Sequence, residues 1–205
     1  SITKLPAANT VEVSNGVIAA IDDLKKTFPD ADFTVVFDQA PFIVQSIETL
    51  AVEGLLGLVF AVIVILVFLM SIRSTLVTAI SIPVSVLVTF VGLQAFGYSL
   101  NVLTLGALTI AIGRVVDDSI VVIENIKRHY VGDADKGDAI RLAVREVAAA
   151  ITASTITTVA VFLPIVFVGD MVGELFRPFA MTVTIAMVAS LLVSLTIVPV
   201  LAYWF

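Results

Sequence analysis

Five long apolar segments dominate this sequence and restrict what it can fold into. Each is long enough, as a helix, to cross the roughly 30 Å of hydrocarbon in a lipid bilayer. Open strands would leave backbone groups unpaired in lipid, so helices are the only form available to these segments. We therefore predict an all-α integral membrane helix bundle over residues 46–205. Its transmembrane helices are expected at approximately residues 50–70, 76–96, 100–126, 147–168 and 179–205.

The composition agrees with a lipid environment. Hydrophobic residues make up 60% of the 205 residues, and charged residues make up 14%, against roughly 25% in soluble domains.

The chain has one histidine and no cysteine, and no pairing of a nucleophile with a base is apparent. These features argue against an enzyme, a metal site, a cofactor or a nucleic-acid partner.

Residues 1–45 differ from the rest and are acidic, with three Lys/Arg and seven Asp/Glu in the first 50 positions. Apolar residues at helical spacing predict an amphipathic helix from Thr10, its expected N-cap, to Phe28. Residues 33–37 are rich in β-branched and aromatic side chains, which favours a strand. One helix and one strand cannot form a core alone. We therefore interpret this region as a small α/β piece at the end of a partial extracytoplasmic domain, and the chain as a fragment.

Basic residues predict the orientation in the membrane. Five spans place the loop at Arg73 and the loop at 127–146 on one side, because the chain alternates sides at each crossing. These loops hold nearly all the basic residues after the first span, which marks their side as cytoplasmic. We expect a multi-pass protein of the plasma (bacterial inner) membrane with its N-terminal piece outside. The basic residues are Arg73, Lys127, Arg128, Lys136, Arg141 and Arg145 on this side and Arg177 on the other.

Two adjacent acids inside the third apolar segment, Asp117 and Asp118, are the candidate functional residues. They lie on the order of 14 Å from the cytoplasmic end at Lys127, given 1.5 Å per residue. An ionised acid at such depth costs at least ~2.5–3.5 kcal/mol, so intramembrane acids are usually functional. They must be protonated or must face a buried cation or water, and a site that alternates between these states carries protons. We predict a proton relay at these two positions, driven by the proton motive force.

Two further charged residues of this segment have two interpretations each. Arg114 precedes the acids by one helical turn, so it is either a local counter-ion or a charge that tunes their protonation. Glu124 lies near Lys127 and is expected to form an interfacial ion pair, with membership of the relay as the alternative. Hydroxyls of the fourth segment, such as Ser154, could hydrogen-bond the acids or only satisfy helix contacts. His129 is expected to be an ordinary solvated residue.

The third segment resembles the signature helix of resistance-nodulation-division (RND) permeases, and most closely the multidrug exporters of the hydrophobe/amphiphile efflux branch. The resemblance rests on Gly97–Asn101, on Thr104 and above all on Ile112–Asn125. Further stretches that fit this pattern are Phe37-Asp38, Pro41-Phe42, Val161–Pro164, Gly169, Gly173, Phe176 and Leu195–Leu201.

The resemblance implies spans two to six of a twelve-span drug/proton antiporter that exports amphiphilic compounds. In that family the two aspartates carry protons, which assigns the same role to Asp117 and Asp118. The implied partners are the second transmembrane half of the permease, two further copies in a homotrimer, a periplasmic adaptor and an outer-membrane channel.

Two departures from the family pattern bear on function. Arg114 stands where relatives usually have an apolar residue, and the half that carries the partner lysine is absent from this sequence. A lipid- or protein-export member of the same superfamily is the alternative within transport. A non-transporting membrane receptor or scaffold with this fold is the alternative from another class.

Overall fold

A computed structural model describes residue 2 and residues 9–130 and 135–204 of the chain. Within this part the chain forms six α-helices and no strand, so the all-α bundle is confirmed. The helices are α1 Thr10–Thr27, α2 Ala40–Leu69, α3 Ile72–Ala95, α4 Val102–His129, α5 Lys136–Val166 and α6 Asp170–Trp204.

The amphipathic helix α1 begins where the sequence predicts, but its cap is one residue earlier. The side chain of Asn9 accepts hydrogen bonds from the amides of Val11 and Glu12, which otherwise lack partners in the first turn. The choice of Thr10 as the N-cap was therefore wrong by one position.

The strand predicted at residues 33–37 is also wrong, because the described structure has no regular element between α1 and α2. A strand is stabilised by hydrogen bonds to a neighbouring strand, and the described residues contain none. The β-branched and aromatic composition of this segment therefore indicates a preference for a strand, but the described chain offers no neighbouring strand for it to pair with.

The helices extend well beyond the predicted apolar segments. Helix α2 begins at Ala40, α5 at Lys136 and α6 at Asp170, each about ten residues before the expected start of its span. The residues before these three segments mix polar and apolar side chains, and each helix continues through them. The helices α2, α3, α5 and α6 are long and apolar enough to cross a membrane. A crossing by α4 stays a prediction, because Arg114, Asp117 and Asp118 stand near its middle.

Helix α4 lies at the centre of the bundle, where it packs against α2, α3, α5 and α6. Small side chains line the seam between α3, α4 and α6, which lets the helices approach closely. At the closest point, a Cβ added to Gly92 of α3 would lie 2.6 Å from Cγ2 of Ile185 on α6. The buried small residues of this seam are Thr78, Ser81, Ser85 and Thr89 on α3, Ala107, Ala111 and Ser119 on α4, and Ala186, Ser190 and Ser194 on α6.

At one end of the bundle, two lysines bond to the last turns of neighbouring helices. The Lys127 ammonium donates to the Leu69 carbonyl at the end of α2, with 2.7 Å between Nζ and O. The Lys136 ammonium donates to the Tyr203 carbonyl at the end of α6, at 2.8 Å. Cations stabilise helix C-termini, where carbonyls are unpaired and the helix dipole is negative.

Candidate functional site

The carboxyl group of Asp118 is buried between α4 and α6. Asp118 is 4% exposed, and one of its carboxylate oxygens accepts a hydrogen bond of 2.7 Å from the Ser190 hydroxyl on α6. Helix periodicity places Asp118 on the inward side together with Val115 and Val122, which are also buried. An acid on this face is therefore enclosed by the core of the bundle.

The neighbouring acid, Asp117, lies on a different face of α4 and is exposed. Successive residues of a helix point about 100° apart, so two adjacent side chains cannot share one partner in the same way. The structure agrees with this expectation, since among the described residues Asp118 forms a hydrogen bond to α6 and Asp117 forms none. The two acids therefore form two sites with different surroundings.

The side chain of Arg114 reaches α5. One of its terminal nitrogens (Nη2) donates a hydrogen bond of 2.5 Å to the hydroxyl of Ser154. Among the described residues it forms no ion pair within 4.0 Å, so the pairing along the helix expected from its spacing to the acids is not formed. Its Nε is buried and has no hydrogen-bond partner among the described residues. The guanidinium is therefore a half-buried cation whose hydrogen-bond partner among the described residues is the Ser154 hydroxyl.

A second hydroxyl contact lies beside the buried acid. Ser81 of α3 donates to Ser119 of α4 at 2.8 Å, and Ser119 directly follows Asp118 in the chain. Ser190 and this serine pair connect the region of the acid to both α3 and α6. Sequence reasoning looked for hydroxyl partners in the fourth apolar segment and missed these. The signal was present, because Thr182, Ala186, Ser190 and Ser194 repeat at four-residue spacing in α6.

The C-terminal end of α4 differs from its prediction. Glu124 forms no ion pair within 4.0 Å among the described residues, so the expected pairing with Lys127 is not formed. Lys127 donates to α2 instead. His129 is not simply solvated, since its Nε2 lies 3.1 Å from a carboxylate oxygen of Glu146. Asn125 donates to that carboxylate at 3.0 Å and to the Ala143 carbonyl at 2.8 Å. This cluster joins α4 to α5 and has no metal-binding grouping in the described residues.

The outward face of α4 carries polar or small residues together with the large apolar side chains of Ile110 and Val121. Thr109, Gly113, Asp117 and Glu124 are all exposed along it. Helix α2 exposes large apolar side chains instead, which suits contact with lipid. Its exposed residues include Leu56, Val59, Phe60, Ile63, Val64 and Val67.

The chain matches proteins of known family over its full length. Residues 1–205 fit the family model described as the AcrB/AcrD/AcrF family. The chain is 46% identical over 206 residues to the swarming motility protein SwrC of Bacillus subtilis, with 99% of this chain and 20% of that protein covered. It is 40% identical over 204 residues to the multidrug resistance protein MdtC of Escherichia coli, with the same two coverages. It therefore spans about one fifth of the length of the relatives it matches.

Proposed function

Because this chain belongs to the AcrB/AcrD/AcrF family of RND permeases, we propose that it is the part of a proton-coupled exporter that carries protons. Asp118 and Asp117 form the proton relay, and the exported substrates are amphiphilic compounds. The whole permease uses the proton motive force and needs no cofactor. One relative supports this substrate class by name, since it is called a multidrug resistance protein. The other is called a swarming motility protein, which names no substrate.

The observation that carries the proposal is the setting of Asp118. Its carboxyl group is buried at the middle of the central helix and has one hydroxyl, that of Ser190, as its hydrogen-bond partner. A fully ionised acid buried there would need an opposite charge or several donors to offset its desolvation. One neutral donor suits both protonation states, because a protonated carboxyl group still accepts from Ser190 and can donate elsewhere. Such a group can take up and release a proton within one fold.

The exposed face of α4 supports a role for the missing half of the permease. A charged side chain at this depth does not face lipid, so a protein surface or a water-filled path must cover Asp117. We propose that the second transmembrane half covers this face and supplies the cation that responds to the charge of the acids. The guanidinium of Arg114 is a second positive charge on the same helix, held by Ser154. It tunes the relay from the α5 side.

The proposed assembly follows from the same family membership. The chain lies in the bacterial inner membrane with α1 outside, as the distribution of basic residues favours. The complete permease forms a homotrimer and works with a periplasmic adaptor and an outer-membrane channel. This chain contributes the helices that hold the relay, and the rest of the permease contributes the substrate pocket.

Export by the full-length permease tests the proposal. Cells that express it would be loaded with an amphiphilic dye that the wild-type protein exports, and the initial rate of dye loss would be measured. We expect Asp118→Asn and Asp117→Asn each to abolish energy-dependent export, because asparagine cannot exchange a proton. Expression and trimer formation should stay normal in both variants.

The matched control is Asp138→Asn, the same chemical change at an exposed position at the start of α5. It should export the dye at the wild-type rate. Retained export in Asp118→Asn would remove that acid from the relay, and retained export in both aspartate variants would refute the relay. A wild-type protein that exports no such dye would favour a receptor or scaffold.

A further inference from the structure

A cavity of about 270 Å³ opens at the end of the bundle where α2, α4 and α6 end and α3 and α5 begin. Ligand sites typically measure roughly 300–1,000 Å³, so this volume suits a headgroup and not a complete lipid. All the described charged side chains that line it are basic, and hydroxyls provide the other polar groups. The polar lining consists of Ser71, Arg73, Ser74, Lys127, Tyr130 and Lys136.

The charges of the two lysines are not neutralised by acids of the described chain. Lys127 and Lys136 each donate to a main-chain carbonyl, and neither ammonium group lies within 4.0 Å of a described carboxylate. An ammonium group has three donors, so each lysine keeps donors beyond the one used for its carbonyl. The Lys136 ammonium also lies 5.9 Å from the ring centre of Tyr130 and 5.8 Å from that of Tyr203, and aromatic rings attract a cation at this distance. The cavity is therefore a positively charged site.

The start of α3 adds to this charge. Ser71 is the N-cap of a 24-residue helix, and the first amides of such a helix point out of its end with a partial positive charge. Ser71 and Ser74 line the cavity at this helix end, where the Ser74 amide donates to the Ser71 hydroxyl at 3.5 Å. Lysine ammonium groups together with helix amides are the donors that bind phosphate in proteins.

The remaining wall is apolar and continues into the bundle. It includes Val77 of α3, Ile126 of α4 and Ile140 of α5. A free phosphate ion would gain nothing from these side chains, whereas the first carbons of an acyl chain would bury against them. Basic pockets between transmembrane helices at the cytoplasmic surface are suited to anionic lipid headgroups.

We propose that this cavity binds the phosphate-bearing headgroup of an anionic glycerophospholipid. The phosphate contacts Lys127, Lys136 and the start of α3, and the glycerol end of the acyl chains lies along the apolar wall. The bound lipid joins the ends of five helices at one place. This site is separate from the proton relay and does not depend on it.

Native mass spectrometry of the full-length permease, purified in a neutral detergent, tests this proposal. Phosphatidylglycerol, phosphatidylcholine and inorganic phosphate would be added in separate titrations, and the thermal unfolding temperature would be measured in parallel. We expect phosphatidylglycerol to bind at least tenfold more tightly than phosphatidylcholine and to raise the unfolding temperature. Inorganic phosphate should not raise it. An equal effect of phosphate would overturn the lipid assignment in favour of a soluble anion.

Two sets of variants locate the site. Lys127→Gln and Lys136→Gln should each weaken phosphatidylglycerol binding about tenfold, whereas Arg141→Gln should not. Arg141 is the matched control because it lies at the same end of the bundle, outside the cavity lining, with its side chain 81% exposed. An equal loss in Arg141→Gln would show that only the general surface charge matters and would refute the site.

Ser74→Asp separates lipid binding from the structural role of the lysines. The new carboxylate would repel the phosphate while both bonds from lysine to carbonyl remain, and an acid in the first turn of α3 favours the helix. We expect the unfolding temperature without lipid to stay near that of the wild type and the rise caused by phosphatidylglycerol to disappear. If the rise persists in this variant, the lysines only cap helix ends and the proposed site is wrong.

Discussion

The contact between Gly92 of α3 and Ile185 of α6 gives a prediction whose size follows from the structure. A Cβ at position 92 would lie 2.6 Å from Cγ2 of Ile185, about 0.8 Å closer than the 3.4 Å at which ordinary contact begins. Ile185 is β-branched and stiff at its first side-chain torsion, so its methyl group cannot turn away freely. Overpacking of this kind costs ~1–3 kcal/mol. Alanine also favours a helix over glycine by ~1 kcal/mol, which opposes that cost.

We therefore expect Gly92→Ala to be ~1–3 kcal/mol less stable than a glycine-to-alanine change without a clash. Gly57→Ala on α2 is the matched control, because a Cβ at that position meets nothing within 4 Å. The full-length permease would be unfolded by SDS in mixed micelles, with helix loss followed by circular dichroism. Gly57→Ala should be as stable as the wild type or slightly more stable.

A double variant tests whether the clash itself is responsible. Ile185→Ala removes Cγ2 and leaves only its Cβ, at 3.9 Å from the new methyl group. The two substitutions together should then destabilise the protein by ~1–3 kcal/mol less than the sum of their separate effects. Strict additivity of the two substitutions would refute the close approach of α3 and α6 described here.

Two further predictions concern hydrogen bonds within the bundle. Ser190→Ala should slow proton-driven export about fivefold, because a hydrogen bond of ~1 kcal/mol to Asp118 is lost. The control is Ser194→Ala, which should export normally because the Ser194 hydroxyl bonds to the Leu191 carbonyl. An equal loss of export in both variants would contradict the role of Ser190. Asn125→Ala should lower stability by ~1–3 kcal/mol in the same SDS assay, because it leaves the Ala143 carbonyl without its side-chain donor. Arg128→Gln breaks a largely exposed ion pair with Glu146 and should lower the stability by less than ~1 kcal/mol. A larger loss of stability in Arg128→Gln than in Asn125→Ala would contradict this expectation.

The helices could be predicted because their signal is local. An apolar run of about 20 residues has one stable form in a bilayer, and its length and composition are read directly from the sequence. The ends of the helices were less predictable, since α5 continues through the polar residues before residue 147 as readily as through the apolar residues after it. The strand at residues 33–37 failed for a related reason, because strand formation depends on a partner that local composition does not reveal.

The candidate site was predictable in its residues and not in its contacts. The cost of an acid in the membrane identified Asp117 and Asp118 from the sequence alone. Which acid is buried depends on how α4 is rotated against α6, and that rotation is set by the packing of the whole bundle. The contacts of Asp118 with Ser190 and of Arg114 with Ser154 join residues 72 and 40 positions apart. Spacing along one helix could not predict them, and it wrongly favoured a pairing of Glu124 with Lys127.

Proton movement by the purified permease tests the central proposal most directly. The full-length protein would be reconstituted in liposomes that contain a pH-sensitive dye, and an imposed substrate gradient would drive the exchange. We predict that the wild-type protein and Asp138→Asn move protons in exchange for substrate. Asp118→Asn should bind substrate with unchanged affinity and move no protons. Substrate-driven proton flux at the wild-type rate in Asp118→Asn would contradict the assignment of the buried carboxyl group as the proton carrier.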